Sequence, residues 1–524
     1  MGSGWASSCL RYDKAFRPVK ASNTKGFWVQ SNGLQPPAVS LHPPHFGVCD
    51  CINFVQRLDP ACGSGGMFVQ AARYMHNHNA DNDELMNFRC YGVEKEPDTV
   101  KLAKMNLRLN NVRGDIIEAN SFYADPHNAV GAFDYVMANP PFNVDEVAYD
   151  RVKDDVRFNT YGVPRKKSSS SKKKADKKET VPNANYLWIG HFATALNEKG
   201  KAALVMANSA SDASGSEYDI RKKMIEEGII SQMVTLSSNM FNTVTLPATL
   251  WFFDKQKAHS DKKDEILFID ARNVYTQVDR AHRKFSEEQI KNLGIITKLY
   301  YGDEDSFKEL VREYEGKLTE QVGVLNQHIE SLAPCHIIFE VENPATGEKE
   351  EQAEDFAWGL DKLDMVLEKL TVELLHDELK KVNKYRKEFA RADKWINSRK
   401  VKRGQNQEVQ TFKDNIANGL ELVDGVKYYL NNLLWLKEKF PEGKYRDVIG
   451  LCKAAKLEGE DGIIDQDYSL NAGRYVGVAV EDDGMSEEEF KEEMLGLNKE
   501  LSALQNESNE LMEHIFSNLK GLGI

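Results

Sequence analysis

A chain of 524 residues, 41% of them hydrophobic, has room for two or more domains with cores of their own. No run of about 18 apolar residues occurs, so no membrane-spanning helix is expected, and Met1–Leu10 does not read as a secretory signal. A net charge of −13 excludes a grip on nucleic acid through overall charge: either the basic surface is local, or a partner supplies most of the phosphate contacts.

Residues 1–57 carry five of the sixteen prolines, Pro36-Pro37 and Pro43-Pro44 among them, and no sustained period of 2 or 3.6, so they read as irregular. From Leu58 short apolar runs alternate with helical patterns, as in a parallel sheet with crossover helices, and this α/β character lasts to about residue 275. The runs predict strands at Val55–Asp59, Cys90–Glu94, Asp115–Asn120, Phe133–Asn139, Ala202–Asn208, Ser231–Leu236, Thr249–Phe253 and Ile266–Ile269. Helices are predicted at Met67–His76, Asp98–Leu109, Asn185–Asn197 and Tyr218–Glu227. The second presents Val100, Ala103 and Leu107 on one face. Arg165–Glu179 interrupts the order with eight basic and two acidic residues, a composition that cannot build a core and is expected to form a mobile loop.

After about residue 275 the strand signal fades into a mostly helical region, 276–484. Long charged helices are expected at roughly Ala353–Ala390 and Thr411–Phe440, followed by a mixed segment, Arg446–Val480. In the tail, 485–524, Phe490, Met494, Leu497, Leu501, Leu504, Ser508, Leu511 and Ile515 keep alternating spacings of four and three, an a/d seam over nearly four heptads. Such a stripe serves either as a coiled-coil docking arm for another subunit or as packing on its own domain.

Seven scattered cysteines (Cys9, Cys49, Cys51, Cys62, Cys90, Cys335, Cys452), an odd number in a long chain, point to reduced thiols in the cytoplasm. Cys49 and Cys51 lack a matching pair nearby, so no metal site is expected.

Chemistry concentrates in two turns. Asp59-Pro60-Ala61-Cys62-Gly63-Ser64-Gly65-Gly66 ends a strand and opens a helix, where glycines permit a tight bend and a close ligand. The Gly-Lys-Ser/Thr of an NTPase loop is missing. Asp59 would repel a pyrophosphate and attract an ammonium, as carried by S-adenosylmethionine. Glu94, closing the next strand, is placed either to accept both hydroxyl hydrogens of a ribose or merely to face solvent.

The second turn, Asn139-Pro140-Pro141-Phe142, follows the apolar run Phe133–Ala138. Two prolines stiffen the backbone and remove two N–H donors, leaving carbonyls free to accept. Paired Asn and Pro carbonyls can hold one NH₂ group, and Phe142 offers a stacking face to a planar ring. That is what methylation of an exocyclic amine requires, with no covalent enzyme intermediate, so Cys62 need not act as a nucleophile.

Asp-Pro-Ala-Cys-Gly-Ser-Gly-Gly followed by Asn-Pro-Pro-Phe resembles the adenine-amine DNA methyltransferases, specifically the modification subunits of type I restriction–modification systems. Val181–Leu187, Ala203–Ala213, Asn239–Asp254, Phe268–Arg272 and Asp467–Val478 extend the likeness over roughly 58–524. The resemblance implies a class I S-adenosylmethionine-dependent, Rossmann-like fold with a seven-stranded sheet and the cofactor at the carboxyl ends of the strands. It implies that Asp59, Ala61 and the bend Gly63, Ser64, Gly65, Gly66 hold the methionine part of the cofactor and Glu94 its ribose. Asn139 and Pro140 would bind the amine of an adenine flipped from double-stranded DNA, Pro141 would stiffen the turn, and Phe142 would stack on the base. It further implies a specificity subunit that reads DNA and, often, a restriction subunit.

Two departures stand out. The family's N-terminal helical domain and its Gly-x-Phe-Tyr-Thr-Pro segment are not found in residues 1–57, which reads as a truncation with foreign leading residues. Where relatives often carry an acidic residue near the end of the third strand to contact the cofactor's adenine, this chain offers Asn120, Ser121 or Asp115. The basic segment 165–179 is expected either near DNA or as a solvated linker. Rival readings are a same-fold methyltransferase acting on a protein glutamine or RNA, and a catalytically silent assembly subunit.

Overall fold

The computed structural model describes residues 55–77, 88–165, 179–241, 246–280, 282–342, 349–365, 370–399, 401, 405–479 and parts of 491–512. Most of the irregular N-terminal segment, the interior of the basic segment, and Phe490 and Ile515 of the tail seam lie outside the described residues. The chain forms two compact units, one ending at Val476 and the other beginning at Gly477. In the second unit Met494, Leu497, Leu501, Leu504, Ser508 and Leu511 are helical and exposed.

In the first unit the strands are β1 (Val55–Asp59), β2 (Phe88–Glu94), β3 (Gly114–Glu118), β4 (Phe133–Ala138), β5 (Leu196–Ala207), β6 (Ile230–Leu236), β7 (Ala248–Asp254), β8 (Glu265–Ala271), β9 (Thr276–Gln277), β10 (Arg283–Lys284), β11 (Cys335–Glu342), β12 (Lys349–Phe356) and β13 (Cys452–Lys456). The main sheet runs β13-β8-β6-β7-β5-β4-β1-β2-β3. Strands β1 to β6 and β8 are parallel; β7 is inserted antiparallel between β5 and β6, and β13 caps the edge antiparallel to β8. The expected seven strands are therefore nine. The addition is β8 with β13, which continue the sheet beyond β6. The order reverses between β1 and β4, the switch point at which open α/β sheets bind ligands.

Every residue of β6 and β7 is buried, as in strands covered on both faces. Alternation sorts the side chains of β5, β7 and β8: Leu204, Trp251, Phe253 and Phe268 enter one core, while Val205, Leu250, Phe252 and Leu267 enter the other. The first core is covered by helix Asn185–Ala195, all of whose residues are buried, and by helix Ser216–Glu227. The second is covered by helices Glu287–Tyr300, Glu304–Ser331 and Asn406–Lys439. A smaller core joins β2 and β3 to helices Gly66–Asn77 and Pro97–Leu109. The latter starts with Pro at its first position, carries Asp98 in its first turn and Arg108 in its last, and buries Val100, Ala103 and Leu107.

Several expectations need correction. Ala353 begins no helix: 349–356 is the second strand of a hairpin with β11, and the helix there is Val372–Asn397. The later helix starts at Asn406. The strand signal does not end at 275, since β11, β12 and β13 lie beyond it. Helix Asn185–Ala195 stops short of Asn197, because Leu196 already belongs to β5. The third strand ends at Glu118, which puts Asn120 and Ser121 in the following turn.

Candidate active site

Parallel neighbours end on one edge, so the turns leaving β1, β2, β3 and β4 emerge side by side. Asp59 pairs with Gly92 in register and Leu58 with Val136, and neighbouring strands lie about 4.8 Å apart. The glycine bend and the Asn-Pro-Pro-Phe turn therefore leave adjacent strands at the switch point. Of the sequence-predicted site residues, all but Asp115 gather at this edge.

The bend is held by its own backbone and by two carboxylates. Asp59 is buried and accepts from the Ala61 N–H at 3.0 Å. Cys62 N–H donates to Val93 O at 3.0 Å, and Gly65 N–H to Cys62 O at 2.8 Å. Glu94 reaches back across the edge: its Oε2 accepts from Gly63 N–H at 3.1 Å, while Oε1 accepts from the N–H groups of Lys95 and Glu96 at 2.8 and 3.0 Å. Gly63 and Gly65 have φ of 51° and 77°, in the left-handed region. A Cβ on Gly65 would stand 2.7 Å from Leu107 Cδ1, so this glycine also sets how closely the bend packs on helix Pro97–Leu109. A Cβ on Gly63 or Gly66 would meet nothing within 4 Å, so among the described residues that side of the bend is open.

Burial pushes the Asp59 carboxyl up to about 7, helped by Glu94 and opposed by the Ala61 N–H and by Arg57. Arg57 is itself buried, donates to Met67 O at 2.9 Å and lies over the Phe68 ring. The Cys62 thiol is buried and pushed far up by desolvation, with Asp59 and Glu94 adding to the effect, so it stays protonated and is no nucleophile.

Asn120 and Ser121 close the third side. Asn120 Oδ1 accepts from Phe122 N–H at 3.0 Å, an Asx turn, and Ser121 Oγ donates to Pro60 O at 2.5 Å, stitching this turn to the bend. Asp115, the third candidate for the adenine contact, lies near the start of β3, away from that edge.

Asn139 is exposed at the end of β4, Pro140 is buried, Pro141 exposed and Phe142 half-buried against both main cores. Among the described residues neither the Asn139 side chain nor the Pro140 carbonyl has a hydrogen-bond partner. The flank is clamped instead. Asn143, at φ 54°, donates its N–H to Asn185 Oδ1 at 2.8 Å, and Asn185 Nδ2 donates to Asn143 Oδ1 at 2.9 Å. Ala148 N–H donates to the Tyr123 hydroxyl at 3.0 Å, tying this segment to the turn after β3.

Sequence reasoning missed three supporting residues: Asn185, Tyr123 and Arg157. Arg157 is buried, pairs with Asp155 at 2.6 Å, and donates from Nη1 to the carbonyls of Ser121 and Ala124 at 2.9 Å each. No local pattern marks it; only the fold brings residue 157 under the 120–125 turn. Asn185 falls in the family-like segment Val181–Leu187, so a signal existed without a role attached.

The profile of the family described as N-6 DNA Methylase matches residues 51–328, a span that includes both turns. The chain belongs to the N-6 DNA methylase family. Its main sheet has nine strands, mostly parallel, with helices on both faces. The chain is 38% identical over 258 residues to the type I restriction enzyme MjaIX methylase subunit of Methanocaldococcus jannaschii, covering 48% of this chain and 43% of that one. It is 35% identical over 238 residues to the type I restriction enzyme HindI methylase subunit of Haemophilus influenzae, covering 45% and 49%. The matched stretch thus spans less than half the length of either relative. A solved type I restriction-modification system methyltransferase subunit from Streptococcus thermophilus aligns loosely, at 23% identity over 46% of this chain and 47% of that one, with a TM-score of 0.39. Among the described residues no helix is long and apolar enough to cross a membrane.

Proposed function

We propose that this N-6 DNA methylase transfers a methyl group from S-adenosylmethionine to the N6 amine of an adenine flipped out of double-stranded DNA, as the modification subunit of a type I restriction–modification complex. The observation that carries the reading is the pairing of the open glycine bend after β1 with the Asn139 and Pro140 acceptors after β4, partnerless among the described residues, on neighbouring parallel strands. Family membership and the names of the relatives support it.

The residues fit the cofactor. Among the described residues nothing lies within 4 Å of where a Cβ on Gly63 or Gly66 would stand, and Asp59 beside it would offer a carboxylate to an ammonium. Ala61, Ser64 and Gly65 complete the bend, Glu94 would accept the ribose hydroxyls, and Asn120 and Ser121 would contact the adenine ring. When bound, the cofactor supplies an electrophilic methyl group on a sulfonium.

The protein's contribution is orientation. The Asn139 side-chain carbonyl and the Pro140 carbonyl accept both hydrogens of the substrate amine, which draws its lone pair out of conjugation with the ring and aims it. Pro141 keeps the turn rigid, and Phe142 stacks on the extruded base, whose removal from the helix is required because the amine is otherwise paired. The protonated Cys62 thiol is consistent with direct transfer that needs no enzyme nucleophile. A specificity subunit would read the DNA sequence, and a restriction subunit can join the same assembly; the chain's net charge of −13 favours shared DNA contacts.

Labelled-methyl transfer to duplex DNA by the full chain with a specificity subunit tests the proposal. Label in the DNA is expected, and its rate should fall by about 10²-fold or more with Asn139→Ala. A chain that binds cofactor and its partner yet labels nothing would replace the proposal with a silent assembly role.

A further inference from the structure

The same edge carries a second concavity, built where β5 ends. Segment Asn208–Asp212 leaves β5, the strand beside β4, and the chain then turns at Gly215 (φ 73°) into helix Ser216–Glu227. Residues 466–474 pack across it, with Leu470 N–H donating to Ser211 O at 2.9 Å. Together they enclose a cleft of about 360 Å³ lined by Ser214, Gly215, Arg221, Ser469 and Arg474 and by the acids Asp212 and Asp467.

Arg221 is 2% exposed. Its Nε donates to Tyr468 O at 2.7 Å, and its Nη1 to Ala213 O at 2.6 Å and to the Tyr186 hydroxyl at 3.3 Å, all neutral acceptors. Nη2 has no partner among the described residues, and the residue lines the cleft. Glu217, one turn earlier, forms no ion pair with Arg221 among the described residues; burial raises its carboxyl, although Asn183 and Arg221 pull it down. A buried guanidinium without a paired anion is costly, so the arrangement is made for an anion from outside.

Two further features agree. The helix begins at Gly215 with no side-chain cap, and Gly215 and Tyr218 of its first turn line the cleft, so an uncapped helix N-terminus of the kind that seats phosphates borders it. Arg474 stands at the mouth, 3.6 Å from Asp212, and Asp212 is already occupied by the Ser469 hydroxyl and by Asn471 Nδ2 at 3.2 Å.

We propose that this cleft seats a backbone phosphate of the nucleic acid whose base the neighbouring turns handle; the assignment of the phosphate to DNA rests on the function proposed above. Ala138 pairs in register with Leu204, so the catalytic turn and the 208–215 segment leave adjacent parallel strands on one edge. A phosphate fixed there holds the backbone about which the target nucleotide must rotate.

The test uses the full chain and two variants, Arg221→Gln and Arg474→Gln. Inorganic phosphate, followed by ³¹P line broadening, is expected to bind the wild type and to lose that binding in Arg474→Gln, with cofactor binding unchanged. In complex with the specificity subunit, the slope of log affinity for duplex DNA against log salt is expected to fall by about 0.9 in either variant, one phosphate contact's worth. Should Arg221→Gln fail to fold, Arg474→Gln alone decides. Phosphate binding with an unaltered salt slope would assign the cleft to a free phosphate and overturn the DNA proposal. No phosphate binding and an unaltered slope would overturn the anion site altogether. A chain that never binds DNA would fail the proposed function, while the phosphate arm would still read the cleft.

Discussion

The two turns at the switch point are built on opposite plans. The glycine bend after β1 is wired to its surroundings: Asp59 to Ala61, Gly63 to Glu94, Pro60 to Ser121. The Asn-Pro-Pro-Phe turn after β4 has its hydrogen bonds at the flank, through Asn143, Asn185 and Ala148, while among the described residues the acceptors of Asn139 and Pro140 are left unspent. One turn must exchange internal bonds when a ligand arrives; the other stands ready with its bonds unmade. The difference teaches where affinity and where rate are set. Under the proposed function, the bend would set cofactor binding and its pH dependence, and the turn would set transfer.

The largest expected effect breaks the second plan alone. Asn139→Ala removes one of two preorganised acceptors and should lower the methyl-transfer rate by about 10²-fold or more, with cofactor affinity unchanged in equilibrium binding. Loss of cofactor binding as well would erase the distinction between the turns.

Two glycines sharpen the account of the bend. Gly65→Ala meets both a left-handed φ and Leu107 at 2.7 Å, whereas Gly63→Ala meets the φ alone. Thermal unfolding should show a loss of about 2–4 kcal/mol for the first and about 1–2 kcal/mol for the second. Equal losses would mean that packing on helix Pro97–Leu109 is irrelevant.

Asp59 gives a pH signature. Its carboxyl is raised from 3.8 to about 7, so the folded chain keeps a proton that the unfolded chain has lost. The stability so contributed is complete below the unfolded value and disappears as pH rises through about 7. Relative to Asp59→Asn, the wild type should therefore lose on the order of 2–4 kcal/mol between acid and pH 8. Its affinity for a cationic cofactor should rise over the same window, and that rise should vanish in Asp59→Asn. A flat profile in the wild type would show that the carboxylate is not what meets the ammonium.

A further effect concerns the clamp. Asn185→Ala leaves the Asn143 backbone N–H without its partner and should cost about 1–3 kcal/mol in stability. It should also slow transfer more than it weakens cofactor binding, because the clamp lies on the turn's side.

Most of the catalytic half was legible in the sequence. β1 through β8 were marked by apolar runs because both faces of the central strands are buried, and both turns stood at strand ends with their glycines and prolines in place. The extra edge was hidden for a physical reason. β13 reads Cys-Lys-Ala-Ala-Lys, too short and too polar to signal a strand, and its pairing with β8 joins residues nearly two hundred positions apart. In β12, Lys-Glu-Glu-Gln-Ala-Glu-Asp-Phe, almost every side chain is exposed, so a strand looked like the start of a charged helix. Arg157 and the anion cleft were equally out of reach. Both depend on segments that meet only in the fold, Arg221 against Tyr468 and Arg157 against Ser121.

The central claim is that the open bend and the waiting acceptors form one site for an exocyclic amine of adenine. Nucleoside analysis of duplex DNA, after incubation with labelled cofactor, the full chain and a specificity subunit, addresses it directly. The account predicts label in N6-methyladenine and nowhere else. Label in a cytosine derivative, in RNA or in a protein glutamine would contradict it.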